Sequence, residues 1–522
     1  MKKISKISAV LAIMLVSSCV KDLDRVPFVS VTSATVYNEA ANYKQILAKL
    51  YAGLAVSGQQ GPAGKPDISG IDEGFSTYLR QYYKAQELPT DEAVIGWNDG
   101  SLPDYHEMDW TSSNEFITAM YNRIYYQLSA CNEFIRETTD AKLSSRGISS
   151  PEIKAMRAEA RFLRALSYWH ALDMFGAAPF VTETDAIGAV LPRQAARVEL
   201  FNFVESELKA IDADLLAART NEYGRADKAA AWTLLAKLYL NAQVYTGQPK
   251  FTECIEQCKK VLSAGYILDA NYNTLFLADN NNSKEIIFSV LFDGTRTKTW
   301  GGMTFLVHAP VGGNMNPATF GINGGWGGLR TTSAFVKLFP DATGKTDARA
   351  MFHTDGQKLE IAEIGTFTDG YAITKYRNVT SAGKVGSDPE GNHPDNDFPM
   401  FRLADVHLMY AEAVVRGGTG GDNTTALQYF NALRQRAYKN TSGNVTSLNL
   451  DLILAERGRE LYWECHRRTD LIRFGRFTEG AYLWPFKGGV PAGRAVSDNF
   501  NLFPIPASDI VANPNLKQNT GY

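Results

Sequence analysis

Two stretches of the chain, one of them rich in glycine, hold the side chains best suited to ligand chemistry. Residues 300–328 begin with Trp300 and include Trp326 among repeated Gly-Gly pairs, and residues 72–100 include Trp97. Glycine at the density of residues 300–328 disfavours a regular helix, so Trp300 and Trp326 are predicted to lie on loops near the surface, and residues 72–100 with Trp97 are predicted to form a second such region. Indole faces, with the acidic, amide and guanidinium groups of the same stretches, favour noncovalent binding of a ligand that has apolar and polar parts.

A pyranose sugar is such a ligand, because one face of its ring carries C–H bonds and its rim carries hydroxyls. Tryptophan packs on the face, while Asp, Asn and Arg bond to the rim. Single contacts of this kind are weak, but several contacts along a polymer strengthen binding through effective concentration. The alternative is that all three tryptophans are core residues, as most tryptophans largely are.

Carboxylates in the same part of the chain allow a catalytic alternative. Asp72, Glu73, Asp91 and Glu92 could supply the acid and the nucleophile of a glycoside hydrolase. Any chain of this length contains such carboxylates, and no catalytic signature surrounds these four. We therefore expect a binding protein and not an enzyme.

The cysteines and histidines indicate no metal site. Cys131, Cys254, Cys258 and Cys465 are too few for a disulfide scaffold in 522 residues, and we expect small buried thiols. The seven histidines form no pair at ligand spacing. Residues 279–282 carry oxygen atoms that permit calcium, but the usual loop of spaced acids is missing. Metal and cofactor are therefore left unassigned.

The composition is that of a large folded protein without a nucleic-acid partner. Hydrophobic residues make up 45% and aromatic residues 11% of the chain, which excludes a disordered protein. The formal net charge is −3, and no basic block is present to follow phosphates. After the N-terminal leader, no apolar stretch approaches the roughly 18 residues that a membrane-spanning helix needs.

Helical patterns dominate the remaining sequence and must position the loops. Residues 151–175 are rich in helix formers, begin at Pro151 and stop before Gly176, with an apolar stripe for a neighbouring helix. Residues 232–239 have the Trp, Leu, Ala and Tyr spacing of the first helix of a tetratricopeptide unit, and residues 251–262 fit its second helix.

A third set of helices begins after Phe401. Residues 403–413 and 426–437 each place apolar side chains on one helix face. Several helix pairs separated by unlike segments predict a mostly α fold, in which a tetratricopeptide-like helical scaffold carries long inserted loops that form the binding face.

Two further groups of residues are predicted to have structural roles and not binding roles. The other tryptophans considered lie in helical or apolar runs and are expected to pack inside: Trp169, Trp232, Trp463 and Trp484. The charged residues Arg467, Arg468, Asp470 and Arg473 are interpreted as a salt-bridged helix end.

The N-terminus resembles a bacterial lipoprotein signal. Three lysines precede the short apolar run 7–16, and Val16-Ser17-Ser18-Cys19 places small residues before a cysteine. The apolar run is too short to span a bilayer. In such signals residues 1–18 are removed and Cys19 is acylated on its thiol and its amine, which anchors the protein to a membrane. An ordinary secretory signal with a chance cysteine is the alternative.

Several motifs in the C-terminal part resemble those of the SusD/RagB family of Bacteroidetes lipoproteins. In chain order they are Phe401-Arg402-Leu403-Ala404-Asp405, Tyr410-Ala411-Glu412-Ala413, Asn431-Ala432-Leu433-Arg434, Glu456-Arg457-Gly458-Arg459-Glu460-Leu461, residues 467–475 and Phe503-Pro504-Ile505-Pro506. The resemblance extends to residues 87–92 and 224–230, so it covers nearly the whole mature chain. It is similar in particular to the starch-binding member that gives the family its name, down to the tail 518–522.

This resemblance implies one glycan-binding, non-enzymatic domain over residues 19–522, anchored at the outer-membrane surface and exposed to the outside. Family members sit as a lid on a SusC-like TonB-dependent transporter and help to capture oligosaccharides for import. Lys21 and Asp22 resemble the acidic tag that sends such lipoproteins to the outer leaflet. Starch or another α-glucan is the expected cargo, and a different glycan or a peptide is the alternative within the family.

The resemblance also implies an arc of aromatic side chains that follows a curved α-glucan. The aromatic positions of the arc map onto Trp97, Trp300 and Trp326. Positions that hydrogen-bond sugar hydroxyls map onto Asp72 and Arg80, and Asn98 or Asp99 lies near another such position. The chain departs from the starch-binding pattern at Ile95, where that member has a further Trp, and at Trp300, which replaces a Tyr. Residues 338–371 form a shorter stretch than expected.

Overall fold

The computed structural model describes residues 36–148, 150–186, 188 and 191–522. The chain divides into the units Met1–Lys44 and Gln45–Tyr522. In the first unit, residues 36–44 form a turn that leads into the first helix. The predicted signal peptide, Cys19 and the export tag lie outside the described residues.

The described residues contain 17 α-helices and few short strands, so the predicted mostly α fold is confirmed. The helices are α1 Asn42–Ala55, α2 Tyr78–Glu87, α3 Asp104–Glu107, α4 Glu115–Glu137, α5 Asp140–Ser145, α6 Pro151–Met174, α7 Arg197–Ala210, α8 Lys228–Leu240, α9 Ala242–Thr246, α10 Phe251–Leu262, α11 Gly302–His308, α12 Ser333–Val336, α13 Leu403–Val415, α14 Asn423–Tyr438, α15 Leu450–Leu461, α16 Arg467–Arg473 and α17 Ala507–Ala512.

The strands pair in twos. They are β1 Val94–Ile95, β2 Ala178–Phe180, β3 Arg193–Ala195, β4 Ile286–Val290, β5 Leu329–Arg330, β6 Phe352–His353, β7 Ala372–Ile373 and β8 Phe398–Arg402. The pairs β1–β5, β2–β3, β4–β8 and β6–β7 are all antiparallel. Short 3₁₀ helices at Tyr272–Phe276, Asn280–Asn282, Pro317–Phe320, Lys487–Gly489 and Asp498–Asn501 complete the regular structure.

The helices predicted from periodicity are present and pack in the expected pairs. Helix α6 begins at Pro151, and Gly176 follows its end with a φ of +73°, a conformation that favours glycine. Helices α8 and α10 pack as the predicted tetratricopeptide pair, and α10, α13 and α14 continue the succession. Ala404, Leu408, Phe430 and Leu433 join α13 to α14 in a fully buried cluster.

Side-chain caps fix where several of these helices start. The Asp227 carboxylate accepts from the backbone N–H groups of Ala229 and Ala230 at the start of α8, and Asn114 caps α4 through Phe116 and Ile117. Such caps satisfy N–H groups that have no partner within the helix, and each contributes about 1 kcal/mol. Asp227 belongs to one of the family-like motifs, which gives that residue a structural role.

Buried ion pairs, and not apolar contacts alone, join the C-terminal motifs. Arg402 at the end of β8 is 1% exposed and contacts the carboxylates of Glu285, Glu460 and Glu464 at 2.6–2.9 Å. The charged end of α16 is likewise structural, as predicted. Its residues pair with carboxylates or arginine of other elements: Arg467 with Asp91, Arg468 with Asp173, Asp470 with Arg457, and Arg473 with Glu412.

The tryptophans and cysteines assigned to packing lie inside as expected, whereas the glycine-rich stretch 300–328, expected to be irregular, contains the short helix α11. Trp169, Trp463 and Trp484 are at most 3% exposed, and half-buried Trp232 donates through Nε1 to Asp212. The four cysteines of the described part are free and buried. Within residues 36–148, 150–186 and 191–522, no helix is both long and apolar enough to cross a membrane.

Candidate ligand-binding site

One short strand pair brings two of the predicted tryptophans together. In β1 and β5, Val94 pairs with Arg330 and Ile95 pairs with Leu329. The antiparallel register continues past the strands, because the N–H of Gly96 donates to the carbonyl of Gly328 at 3.0 Å. Trp97 therefore lies opposite the residues that precede β5, and its Nε1 donates to the carbonyl of Trp326 at 3.4 Å.

The three indoles form a chain of neighbouring rings. The ring centroids of Trp97 and Trp326 are 6.2 Å apart with planes inclined by 45°, and those of Trp326 and Trp300 are 6.3 Å apart with planes inclined by 49°. All three residues are half-buried, in contrast to the enclosed Trp110, Trp463 and Trp484. We call this row of inclined, half-buried rings the tryptophan arc (Trp97, Trp326 and Trp300).

Glycine is required at the back of the arc. A Cβ atom at Gly328 would lie 2.4 Å from Cε2 of Trp97, and one at Gly325 would lie 2.1 Å from the carbonyl oxygen of Val311. The glycines thus let the backbone pass directly against an indole and against another backbone segment. Close approach therefore explains one glycine in each of the pairs Gly324-Gly325 and Gly327-Gly328.

A buried carboxylate holds Trp300 in place. Glu73 is 4% exposed and accepts from Ser57 Oγ at 2.9 Å, from Thr299 Oγ1 at 2.5 Å and from the backbone N–H of Trp300 at 3.1 Å. Three donors satisfy both carboxylate oxygens, so the group can remain buried. A Cβ at Gly74 would contact Cβ of Trp300 at 2.8 Å, so the 73–74 turn lies directly against this tryptophan.

His308 supports Trp326 from beneath. Their rings stack with centroids 5.0 Å apart and planes inclined by only 26°. Nδ1 of His308 lies 2.6 Å from the carbonyl oxygen of Gly324 and Nε2 lies 2.9 Å from that of Asn392. The N–H of Trp326 donates to the carbonyl of His308 at 2.9 Å. Ring stacking and backbone bonding together fix the indole from below.

Arg80 lies between the arc and the interior. Its guanidinium carbon is 4.1 Å from the ring centre of Phe75, 4.3 Å from that of Phe305 and 5.8 Å from that of Trp97. Nη1 donates to the carbonyl of Trp300 at 3.4 Å, whereas the buried Nε has no hydrogen-bond partner. Burial lowers the pKa of Arg80 to about 9, against the opposing effect of the nearby acids.

The predicted acidic and amide residues lie at the solvent edge of this group. Asp72, Asn98 and Asp99 are exposed, and Asp72 accepts from the backbone N–H of Gly74 at 2.9 Å. Asp72 and Asp99 are the acids that most favour the charged form of Arg80. The structure therefore brings the seven predicted residues into one region, with apolar faces flanked by exposed hydrogen-bonding groups.

A second loop reaches the arc through Arg330. This fully buried arginine donates to the carbonyl oxygens of Thr366, Asp369 and Ile364, which fixes the loop 364–369 beside β5. Phe367 of that loop is half-buried and packs against the backbone near Gly327, next to Trp326. The short stretch noted in the sequence thus contributes one wall of the site.

The four carboxylates that could serve a glycoside hydrolase lie in different environments. Asp91 is fully buried in an ion pair with Arg467 at 2.7 Å, and Glu92 accepts from the backbone N–H of Trp463 at 3.1 Å. Glu73 is occupied by its three donors. Of the four, Asp72 is the one with an exposed carboxylate.

Metal ligands do not gather in the described part of the chain. No group of three or more His, Cys, Asp or Glu residues with the geometry to hold an ion occurs there. At the calcium-permissive segment, Asp279 accepts from the N–H of Ser381 at 2.8 Å and from its hydroxyl at 2.6 Å. Ser381 thus donates a hydrogen bond to each carboxylate oxygen of Asp279, which gives this residue a structural role.

Four supporting residues were not predicted from the sequence: Glu73 as an anchor, His308, Gly328 and Arg330. Glu73 was considered only as a possible catalytic acid. The position of Glu73 between Asp72 and Gly74 could have indicated that it lies at the site. The residues around His308 and Arg330 give no indication that these side chains contact a loop distant in sequence. Their roles depend on long-range pairing.

Comparisons with known proteins identify the family of the chain. A family model described as the SusD family matches residues 362–522, and one described as starch-binding associating with outer membrane matches residues 27–240. The chain is 36% identical to the starch-binding protein SusD of Bacteroides thetaiotaomicron, over 97% of this chain and 96% of that protein. It is 28% identical to the SusD-like protein P25 of Formosa agariphila, over 70% of this chain and 73% of that protein.

Solved structures share the fold. A SusD-like protein from Bacteroides fragilis superposes with a TM-score of 0.71 at 18% identity, covering 95% of this chain and 100% of that chain. The surface glycan-binding protein A of Bacteroides thetaiotaomicron, in complex with laminarihexaose, gives a TM-score of 0.70 at 19% identity, covering 92% and 99%. Since 36% identity extends over nearly the full length of one member, this chain belongs to the SusD family.

Proposed function

We propose that the protein is a cell-surface lipoprotein that captures starch and related α-glucan oligosaccharides and passes them to a SusC-like TonB-dependent transporter of the outer membrane. The observation that carries the proposal is the tryptophan arc. Its three half-buried rings lie in a row, and the planes of neighbouring rings are inclined by 45° and 49°, which supports stacking along a bent chain. A curved row of indoles fits a bent polysaccharide better than a straight one.

The polar edge of the arc supports a saccharide as the ligand. Asp72, Asn98 and Asp99 are exposed beside the indoles and are free to bond the hydroxyl rim of a stacked sugar. Aromatic faces with a few convergent polar groups are the usual composition of such sites. Several stacked units along one polymer add their separate weak contributions.

The choice of α-glucan rests on curvature and on the relative that is named a starch-binding protein. A different curved glycan is the main alternative, since a structural relative was solved with laminarihexaose. Buried Ile95 stands where the starch-binding pattern has a further tryptophan, which leaves the arc one ring shorter. A peptide cargo is a weaker alternative because the site offers stacking faces and not a sheet edge.

A non-catalytic role is part of the proposal. Hydrolysis needs an acid and a nucleophile or base about 5–10 Å apart on either side of the bond. Here Asp91 and Glu92 are enclosed by Arg467 and Trp463, and Glu73 is saturated by its donors. Asp72 alone offers no second carboxylate partner among the four.

Location at the outer membrane follows from the N-terminal sequence. Cys19 with the acidic tag at Lys21 and Asp22 supports a lipid anchor in the outer leaflet, and the family model over residues 27–240 is described as associating with the outer membrane. An anchored receptor at this surface holds polymers close to a transporter. The handover itself is inferred from family membership.

Isothermal titration calorimetry with maltoheptaose, α-cyclodextrin, laminarihexaose and cellohexaose tests the proposal. We expect the α-glucans to bind most tightly, and Trp97→Ala or Trp326→Ala to weaken that binding by tenfold or more. Trp232→Phe is the matched control, because this half-buried indole lies on α8 outside the arc. Preference for laminarihexaose would redirect the cargo, and α-glucan binding unchanged in both alanine variants would refute the site.

A further inference from the structure

A second concave region lies away from the tryptophan arc. It is a cleft of about 230 Å³ between the loop that joins α7 to α8, the loop that follows α10, and strand β4. Arg219, Tyr223, Tyr266 and Lys284 are among its walls, and none of them belongs to the arc. Sites for drug-sized ligands enclose about 300–1,000 Å³, so this smaller cleft suits a ligand of about one sugar ring.

The hydroxyl of Tyr223 points into the protein and not toward solvent. Its hydroxyl donates to Oδ2 of Asp397 at 2.7 Å and accepts from Oγ of Ser289 at 3.2 Å, yet 44% of the residue is exposed. A surface tyrosine ordinarily keeps its hydroxyl in water and its ring against the protein. Here the hydroxyl points inward, so the ring provides the exposed part.

This orientation has an electrostatic cost. Burial raises the pKa of the Asp397 carboxyl to about 6, and burial together with that carboxylate raises the pKa of Tyr223. Asp397 is also bonded by the backbone N–H of Phe292 at 2.8 Å. Enclosing a carboxyl group opposes folding unless hydrogen bonds offset it. The arrangement holds the phenol ring at the wall of the cleft through its hydroxyl.

Arg219 places a cation over a second aromatic ring among the residues that line the cleft. The guanidinium carbon of Arg219 lies 5.6 Å from the ring centre of Tyr266, and Nη1 donates to the carbonyl of Gly265. The backbone N–H of Arg219 donates to Oδ2 of Asp227 at 2.6 Å, with a left-handed φ of 63°. The same carboxylate that caps α8 therefore fixes the position of Arg219.

The cationic groups of the cleft are available to a ligand. Within the described chain, neither Arg219 nor Lys284 has a carboxylate within 4.0 Å, whereas Arg225 is paired with Glu159 at 2.6 Å. Lys284 is exposed. Arginine and lysine donors can bond hydroxyl oxygens. An exposed aromatic face beside such donors repeats the chemistry of the arc with different residues.

We propose that this cleft is a second saccharide-binding site, in which one sugar ring stacks on Tyr223 while Arg219 and Lys284 donate to its hydroxyl oxygens. The inference rests on the proposed function only in taking a saccharide as the ligand. Two separate sites would let one copy hold a polymer at two points, which raises avidity for polysaccharide over short oligosaccharides.

Affinity electrophoresis in amylopectin gels, with calorimetry on maltoheptaose and laminarihexaose, tests the second site. The full mature chain is compared with the double variant Trp97→Ala/Trp326→Ala and with that variant carrying Tyr223→Ala in addition. We expect residual saccharide binding in the double variant that falls at least tenfold on adding Tyr223→Ala. Tyr223→Phe keeps the ring and should preserve most of the residual binding.

Lys284→Ala keeps the test informative if Tyr223→Ala fails to fold, because this exposed side chain has no ion-pair partner among the described residues. A loss of residual binding of about threefold or more is expected. Saccharide binding by the wild type with none in the double variant would overturn the second site and leave the arc intact. Residual binding indifferent to both Tyr223→Ala and Lys284→Ala would also overturn it. No binding by any protein would overturn both proposals.

Discussion

Gly328 and Trp97 are in such close contact that no side chain fits between them. A Cβ atom at residue 328 would lie 2.4 Å from Cε2 of the indole, far inside van der Waals contact. The position and tilt of Trp97 in the arc therefore depend on the absence of one methyl group. This contact gives a way to move one ring of the site without removing it.

Gly328→Ala should displace the indole of Trp97 and weaken α-glucan binding about tenfold, which is about 1.4 kcal/mol. Because the ring is half-buried and can shift outward, we expect the free energy of unfolding to change by roughly 1 kcal/mol or less. Calorimetry and urea unfolding measure the two effects. Gly324→Ala is the control, since its Cβ would meet nothing within 4 Å; equal effects of both changes would contradict this account.

Glu73→Ala should weaken both the fold and the site. The change leaves the N–H of Trp300 and the hydroxyls of Ser57 and Thr299 without their acceptor. Loss of a buried acceptor of this kind costs about 1–3 kcal/mol. We expect a lower urea midpoint and at least threefold weaker glucan binding. Glu73→Gln retains an acceptor and should show the smaller loss of each; a larger loss in Glu73→Gln would argue against anchoring.

Stability should fall as pH rises because of a buried carboxyl pair behind β1. Glu87 and Glu92 interact, and burial raises the pKa of both, that of Glu92 from 4.5 to about 8. The folded state thus holds protons that the unfolded chain releases, so this contribution is complete below about pH 4.5 and is lost as pH rises through about 8.

Glu87→Gln isolates that effect. Its oxygen can still accept from the N–H of Cys465, which Glu87 accepts at 2.6 Å, while its amide can donate to Glu92. Urea midpoints at pH 5, 7 and 9 should decline less in this variant than in the wild type. Parallel declines in the two proteins would show that other groups cause the pH dependence.

Arg402→Met should be among the most damaging single changes. It removes one buried cation that contacts Glu285, Glu460 and Glu464, and breaking a buried pair costs about 3–5 kcal/mol. Arg193→Ala breaks the exposed pair with Glu199 and should cost less than about 1 kcal/mol. Chemical unfolding measures both; similar losses would mean that burial of the charges matters little.

The sequence predicts the helical scaffold well because helix formation depends on neighbours three and four residues apart. The bounds of α6 follow from Pro151 and Gly176, and α10 follows from its apolar stripe. The buried role of Arg402 was less visible. A charged residue between apolar ones does not reveal that its counter-ions come from residues 285, 460 and 464.

The site was only partly predictable for the same reason. Glycine density correctly placed Trp300 and Trp326 on loops, and the family resemblance selected Trp97 and the polar neighbours. Their supports could not be predicted, because His308 acts through Gly324 and Asn392, and Arg330 acts through the loop 364–369. Each support depends on backbone carbonyls, which carry no residue-type signal.

Trp97 and Trp326 touch although 229 positions separate them along the chain. Bringing such distant segments together requires closing a very large loop, and contacts of this kind slow folding more than local helices do. A nascent or damaged chain that has formed its helices but not the β1–β5 pairing presents no complete arc. We therefore expect glucan retention on a column to separate fully assembled molecules from helical ones in which β1 and β5 are not yet paired.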